Sequence, residues 1–251
     1  MSDVTVETGD DRVAVVEIHR PPENFFDAAL IEQLADAYEA VDADDGCRAI
    51  LLCSEGKHFC AGARLGPGGG ERETVRLYDQ AARLFAAATP VVAAVQGAAV
   101  GGGLGLALSA DLRVASADSR FVANFSRLGF HHGFGLTVTL PAVAGRQAAY
   151  DLLYTGRRVR GEEASALGLC DRLVDPGRER GAARELAAEI AASAPLAVRS
   201  IRETLRGDLA DRIRAATERE AAEQARLAAT DDFREGVRAT TERRTPDFTG
   251  R

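Results

Sequence analysis

The chain has 251 residues, of which 46% are hydrophobic and 27% charged, with a formal net charge of -7. That length can bury a substantial core in one domain. The apolar share excludes a disordered chain, and the acidic balance argues against nucleic acid as a partner.

Residues 4–8 and 12–19 are runs of β-formers around Gly9-Asp10-Asp11, which predicts an opening hairpin closed off by Pro21-Pro22. The acidic start, with Asp3, Glu7, Asp10 and Asp11 and no basic region before an apolar run, predicts no secretory signal and a cytoplasmic location. Apolar residues at helical spacing predict a helix over 28–41 with Asp27 as its N-cap, leading into a buried strand at 49–54. Gly66-Pro67-Gly68-Gly69-Gly70 reads as a flexible loop, and 71–88 resumes a helical period. A strand at 91–95, a glycine turn, a helix at 104–109 and a strand at 112–115 follow. Residues 91–110 carry no charge and are long enough to span a membrane, but five glycines, Gln96 and a β-branched first half make them a strand, turn and helix. Helical character is expected from Pro141 onward, clearest at 179–192, 196–205 and 209–229. The recurring order of strand, turn and helix predicts an α/β fold. Cys47, Cys53, Cys60 and Cys170 show neither CxxC spacing nor histidines at ligand intervals, which predicts reduced thiols and no metal site.

Two glycine-marked turns, each after a short apolar strand, carry the chemistry: His58-Phe59-Cys60-Ala61-Gly62-Ala63-Arg64-Leu65 and Gly97-Ala98-Ala99-Val100-Gly101-Gly102-Gly103-Leu104-Gly105. A carbonyl oxygen gaining negative charge needs two converging backbone N–H donors, and glycine permits both the approach and a positive φ. A helix opening at Gly101 to Gly103 adds its unsatisfied amides and dipole to the same field. A dinucleotide site is excluded, since no clean GxGxxG follows an opening strand and no acidic residue stands where a ribose needs one; a P-loop lacks its Gly-Lys-Ser/Thr.

These two segments, their separation, the chain length and the tail from Thr230 to Phe248 resemble the crotonase superfamily of enoyl-CoA hydratases and isomerases over almost the whole chain. The resemblance implies a crotonase-like spiral of ββα repeats with a C-terminal helical trimerisation region. It implies a core over 1–195 that carries an acyl-CoA site, and a helical region over 196–251 that packs on the core and on neighbouring subunits of a homotrimer or dimer of trimers. The substrate implied is an acyl-CoA thioester, with coenzyme A part of the substrate, no separate cofactor and no membrane partner. Ala63 and Gly102 take the places of the two oxyanion donors. Ala61, Gly62, Arg64 and Leu65 fall in the segment that meets CoA, Gly101, Phe125 and Gly133 fall along the acyl group, and Arg20, Lys57 and Arg243 are the phosphate partners.

The family's hydratases carry one glutamate two residues after the glycine triple and another about twenty residues on; those positions read Gly105 and Phe125. The single-carboxylate isomerases use the second position, also Phe125. An aroyl-CoA dehalogenase pattern fails as well, because its nucleophilic aspartate falls on Gly133. The groups left to act as acid or base are His131 and His132, whose imidazoles titrate near neutrality, with His132 the better placed. Glu71, Glu73 and Asp79 on the loop and following helix are substitute carboxylates, and Tyr78 is either a hydroxyl at the acyl group or a core residue. Phe125, Phe130 and Phe134 favour an apolar acyl group. Three functions fit: an acyl-CoA hydratase/isomerase-family enzyme stabilising an enolate, a CoA-thioester hydrolase or decarboxylase using a histidine, and a non-catalytic acyl-CoA binding protein.

Overall fold

A computed structural model describes residues 2–63 and 71–251. The opening hairpin pairs β1 (Val4–Thr8) with β2 (Val13–Ile18), antiparallel as expected. Asp27 caps α1 (Ala28–Asp42) by accepting from the Leu30 N–H at 2.9 Å, which satisfies one of the amides orphaned at a helix start. The chain continues through β3 (Ala49–Ser54), α2 (Glu71–Ala86), β4 (Val91–Val95), β5 (Ala98–Val100), α3 (Gly102–Ser109), β6 (Leu112–Ser116) and β7 (Arg120–Val122). A 3-10 turn (Asn124–Leu128) then leads to α4 (Leu136–Ala144), α5 (Arg146–Thr155), β8 (Arg158–Arg160), α6 (Gly161–Ala166) and β9 (Arg172–Val174). Four helices close the fold: α7 (Glu179–Ala191), α8 (Pro195–Arg206), α9 (Leu209–Ala228) and α10 (Asp231–Glu242).

The main sheet has the order β1-β2-β3-β4-β6-β9, parallel from β2 onward, and β5, β7 and β8 form a second, smaller sheet. Successive side chains alternate between the two faces of a strand. Val16, Ile18, Leu52 and Ala93 enter the core shared with α1 and α2, while Val15, Leu51, Val92 and Val114 meet Ala183, Leu186 and Ala187 of α7. With both faces covered, the strands are continuous apolar runs; all of β3 is buried.

Two expectations change. The glycine turn hides β5, which leaves the main sheet at Gln96-Gly97, so that α3 starts at Gly102. Helical structure does not begin at Pro141: α4 starts at Leu136 with Pro141 inside it, and β8 and β9 interrupt the helices that follow. Three-residue strands are too short to show a period of two. The expected loop at 66–70 lies outside the described residues.

The C-terminal helices dock through α9 against α2 and through a buried charge cluster. Asp111, between α3 and β6, accepts from the Val91 N–H at 2.8 Å, Arg202 Nε at 2.9 Å and Arg206 Nε at 2.8 Å. Arg202 also donates to the Ala87 carbonyl, and Arg206 Nη2 to that of Ser109 at 2.7 Å. Burial pushes the Asp111 carboxyl up, but Arg206 and Arg202 outweigh it and hold the group below the usual range. A depressed folded-state pKa contributes stability that is present above the unfolded value and lost as pH falls through the folded one. Asp111→Ala leaves two buried guanidinium groups unpaired and should cost about 3–5 kcal/mol, read from the urea midpoint at neutral pH, with the gap between native and variant closing on acidification.

Candidate active site

The turn after β3 is laced between two neighbours. Ala61 N–H donates to Glu23 O at 2.9 Å and Phe26 N–H to Gly62 O at 3.0 Å; on the other side, Cys60 N–H donates to Ala98 O and Val100 N–H to Cys60 O, each at 3.0 Å. This brings the backbone of 60–63 against the start of α3. A Cβ on Gly62, whose φ is +95°, would lie 2.7 Å from Val100 O and 3.9 Å from Gly102 N, and one on Gly103 would lie 2.2 Å from Cys60 O. Only glycine permits both contacts. Gly101 caps α3, so the Gly102 N–H is the first of the helix and has no acceptor within it. Among the described residues, the Ala63 N–H donates to no backbone carbonyl. Two amides on adjoining segments therefore have no backbone acceptor among the described residues. The thiol of nearby Cys60 is buried and pushed up to about 12, which removes it as a nucleophile.

Aromatic rings form the wall beside these amides. Phe26 and Phe134 meet edge to face with centroids 5.4 Å apart, and both are buried. A Cβ on Gly101 would lie 3.6 Å from Phe125 Cζ, and Phe125 also neighbours His132, whose ring centroid is 6.4 Å from its own. Phe130 instead packs against Phe233, with centroids 4.7 Å apart, on the side of α10.

The two histidines stack at 4.2 Å but differ in their hydrogen bonds. His131 Nδ1 lies 2.7 Å from the His132 carbonyl. Since a carbonyl only accepts, that nitrogen carries a proton and is engaged by the turn. His132 Nε2 lies 2.8 Å from Thr137 Oγ1. Burial, with a smaller effect from His131, pushes the His132 imidazole down to about 4, so it is neutral at physiological pH. Thr137 and the fully buried Glu220 of α9 were not legible as site residues. The available signal was a glutamate at helical spacing on the buried stripe Ile213, Thr217, Glu220, Ala221 and Gln224.

The family model for enoyl-CoA hydratase/isomerase matches residues 8–251. The chain belongs to this family. It is similar to a putative enoyl-CoA hydratase from Thermus thermophilus, 37% identical with 98% of this chain and 100% of the relative covered. It is also similar to the 1,2-epoxyphenylacetyl-CoA isomerase of Escherichia coli, 32% identical over 95% of each chain. Among solved structures, an enoyl-CoA hydratase/isomerase from Pseudoalteromonas atlantica superposes with a TM-score of 0.87 at 30% identity, covering 98% of this chain and 100% of that one. The spiral α/β architecture is the crotonase fold that the two glycine turns imply.

The space beside Gly105 and Gly133, two of the positions at which the family resemblance implies a carboxylate, is filled. A Cβ on Gly105 would lie 2.6 Å from Phe134 Cβ, so no larger residue enters there without displacing that ring. A Cβ on Gly133 would lie 1.8 Å from the Tyr78 hydroxyl. Tyr78 is buried, and its hydroxyl donates to Gln224 Oε1 at 2.8 Å, which ties α2 to α9. Of the substitute carboxylates, Glu73 and Asp79 are exposed on α2, and the side chain of Glu71 lies outside the described residues.

The family's CoA segment is only partly described, since Arg64 and Leu65 lie outside the described residues. The Arg20 guanidinium is held by Asp3 at 2.7 Å and Asp27 at 2.9 Å, which makes it a clamp between the N-terminal hairpin and α1. Lys57 is exposed and lines a cleft of about 680 Å³ together with Arg120 and Arg160. Arg243 closes α10 in a left-handed conformation, exposed and without an ion-pair partner among the described residues. Gly105→Ala should lower stability by about 1–3 kcal/mol in urea denaturation through overpacking against Phe134, and Gly105→Glu by more. A neutral result for both would contradict the placement of Phe134.

Proposed function

We propose that this chain is an acyl-CoA enzyme in which the Ala63 and Gly102 N–H groups hold the oxygen of a thioester enolate, and in which His132 replaces the usual glutamates as acid and base. The observation that carries the reading is the neutral His132 imidazole beside Phe125, their ring centroids 6.4 Å apart, with Phe125 itself 3.6 Å from where a Cβ on Gly101 would stand. An ordinary glutamate titrates at about 4.3, and burial lowers the basicity of this histidine toward that range. The neutral imidazole places no negative charge among Phe26, Phe125 and Phe134, where desolvation would penalise the ionised carboxylate.

In the proposed step the α C–H bond breaks, its proton passes to His132, and its electron pair enters the enolate, whose oxygen the two amides stabilise. Return of the proton to the γ carbon moves a β,γ double bond into conjugation with the thioester. The phenylalanine wall suits an apolar acyl group, and Lys57 and Arg243 are exposed cations suited to CoA phosphates. Hydration by two carboxylates is disfavoured because Phe134 and Phe125 fill their places.

The test is conversion of but-3-enoyl-CoA to its conjugated isomer in D2O, with deuterium uptake followed by mass spectrometry. Ala63→Pro is the appropriate hole variant, because residue 63 already bears a Cβ, whereas a Cβ at Gly102 would lie 2.4 Å from the Phe26 ring. It should slow the reaction about 100- to 1,000-fold, and His132→Asn about 100- to 10,000-fold. The native rate should stay level from pH 8 to below pH 6 and fall only as pH approaches about 4, where His132 becomes protonated. Tight thioester binding with no deuterium uptake would leave a binding protein, and release of free CoA or CO2 would move the assignment to hydrolysis or decarboxylation.

The same reading includes self-association through the C-terminal helices. It is supported by Leu196 and Leu205 of α8, each 81% exposed, and Tyr154 of α5, 74% exposed, since large apolar side chains in water favour a partner surface. Light scattering should give the mass of three or six chains, and Leu196→Glu with Leu205→Glu should lower it.

A further inference from the structure

The reading of His132 as acid and base leaves a buried carboxylate without a role. The Glu220 side chain is fully inaccessible, and three donors converge on it: the Gly135 N–H at 2.8 Å on Oε2, with the Thr137 N–H at 3.0 Å and the Thr137 hydroxyl at 2.6 Å on Oε1. Burial raises its pKa, and the hydrogen bonds from Thr137 and Gly135 oppose that rise by favouring the ionised form. The amides belong to the start of α4, where the helix dipole also favours a negative charge.

A threonine hydroxyl has one proton. With that proton directed at Glu220, Thr137 Oγ1 can only accept from its other neighbour, His132 Nε2, 2.8 Å away. Nε2 must then carry the imidazole proton, and Nδ1 is left with a lone pair and no hydrogen-bond partner among the described residues. We infer that Glu220, acting through Thr137, fixes His132 as its Nε2–H tautomer and so makes Nδ1 the atom that takes up and returns the substrate proton. The inference rests on the acid–base role proposed above for His132. Glu220 and Thr137 are positioning residues that touch no reacting atom.

The proton count closes. Nδ1 takes the α proton and the ring becomes imidazolium, the enolate carries the compensating negative charge, and Nε2–H stays on Thr137 Oγ1. No proton passes to Glu220, whose Oε1 lies 3.9 Å from Nε2. A base oriented by a third, buried group is the same logic by which an acid holds a catalytic imidazole in one tautomer. Four other side chains stand at or near this ring among the described residues. His131 stacks on it, Phe125 covers its edge from the 3-10 turn, Tyr78 stands over Gly133, and Gln224 Nε2 holds the His131 carbonyl at 2.9 Å. Glu223 of α9 is coupled electrostatically to His131.

The test reads the tautomer directly, from nitrogen-15 NMR of histidine-labelled full-length protein, with His132→Asn assigning the signal. The native ring should show a protonated Nε2 and an unprotonated Nδ1 across neutral pH. Thr137→Val keeps the shape of the side chain and removes the hydroxyl. It should give a mixture of tautomers and lower kcat for deuterium uptake about 100-fold with little change in KM, as misplacement of a catalytic group does. Thr137→Ser should restore both. Should Thr137→Val not fold, Glu220→Gln serves as the second variant, and the native spectrum stands by itself. A native Nδ1–H tautomer, or an unchanged tautomer in the variants, overturns the inference. A native Nε2–H tautomer in a protein that exchanges no thioester proton overturns the acid–base role itself and leaves the chain of bonds structural only.

Discussion

The site depends on the contact between two lengths of backbone, 60–63 and 100–103, that approach too closely to admit side chains. The Cys60 carbonyl occupies the space a Cβ on Gly103 would need, and the Val100 carbonyl that of a Cβ on Gly62. The hydrogen bonds from Cys60 to Ala98 and from Val100 to Cys60 hold the two in register. Because β5 turns away from the main sheet to join β7, the chain delivers Gly102 as the first residue of a helix beside the end of the first turn. The positive potential at that place is built from peptide groups alone, so it persists whatever side chains surround it.

Those surroundings are apolar. Phe134 fills the place beside Gly105 and Phe125 the place beside Gly101, so the wall of the site excludes the charge that a carboxylate would bring. A buried carboxylate lies one layer further out, Glu220, which two amides at the start of α4 and the Thr137 hydroxyl satisfy. A buried ion with hydrogen bonds to all sides is tolerated where an unpaired one is not. The same economy appears at Asp111, whose two arginines tie the C-terminal helices to the core. Both carboxylates connect a late helix to an early part of the chain, which makes the helical tail part of the structure that supports the site.

Much of this was legible in the residues. The Asp27 cap, the opening hairpin and the buried β3 followed from local pattern, and the paired glycine turns pointed to the fold because close backbone approach restricts residue type. The resemblance to the family marked Gly105 and Phe125 as the places of its usual glutamates. Arg20 was less legible: a cation before a proline gives no sign that Asp3 and Asp27 neutralise it. The His131-His132 pair looked symmetrical, and the structure separates its members, one engaged by a carbonyl of its own turn and the other by a threonine five residues on.

What the sequence determined by itself was the set of local commitments: where strands and helices start, which positions must be glycine, and which acids and bases exist. The tertiary structure alone decided which of them meet. Glu220 stands 83 residues from Thr137, and its two oxygens reach the start of α4 only because α9 packs across that helix. Such a pairing leaves no periodic or compositional mark, since each residue satisfies its own local pattern equally well without the other, and the hydrogen bond that links them exists only after the core has closed around both.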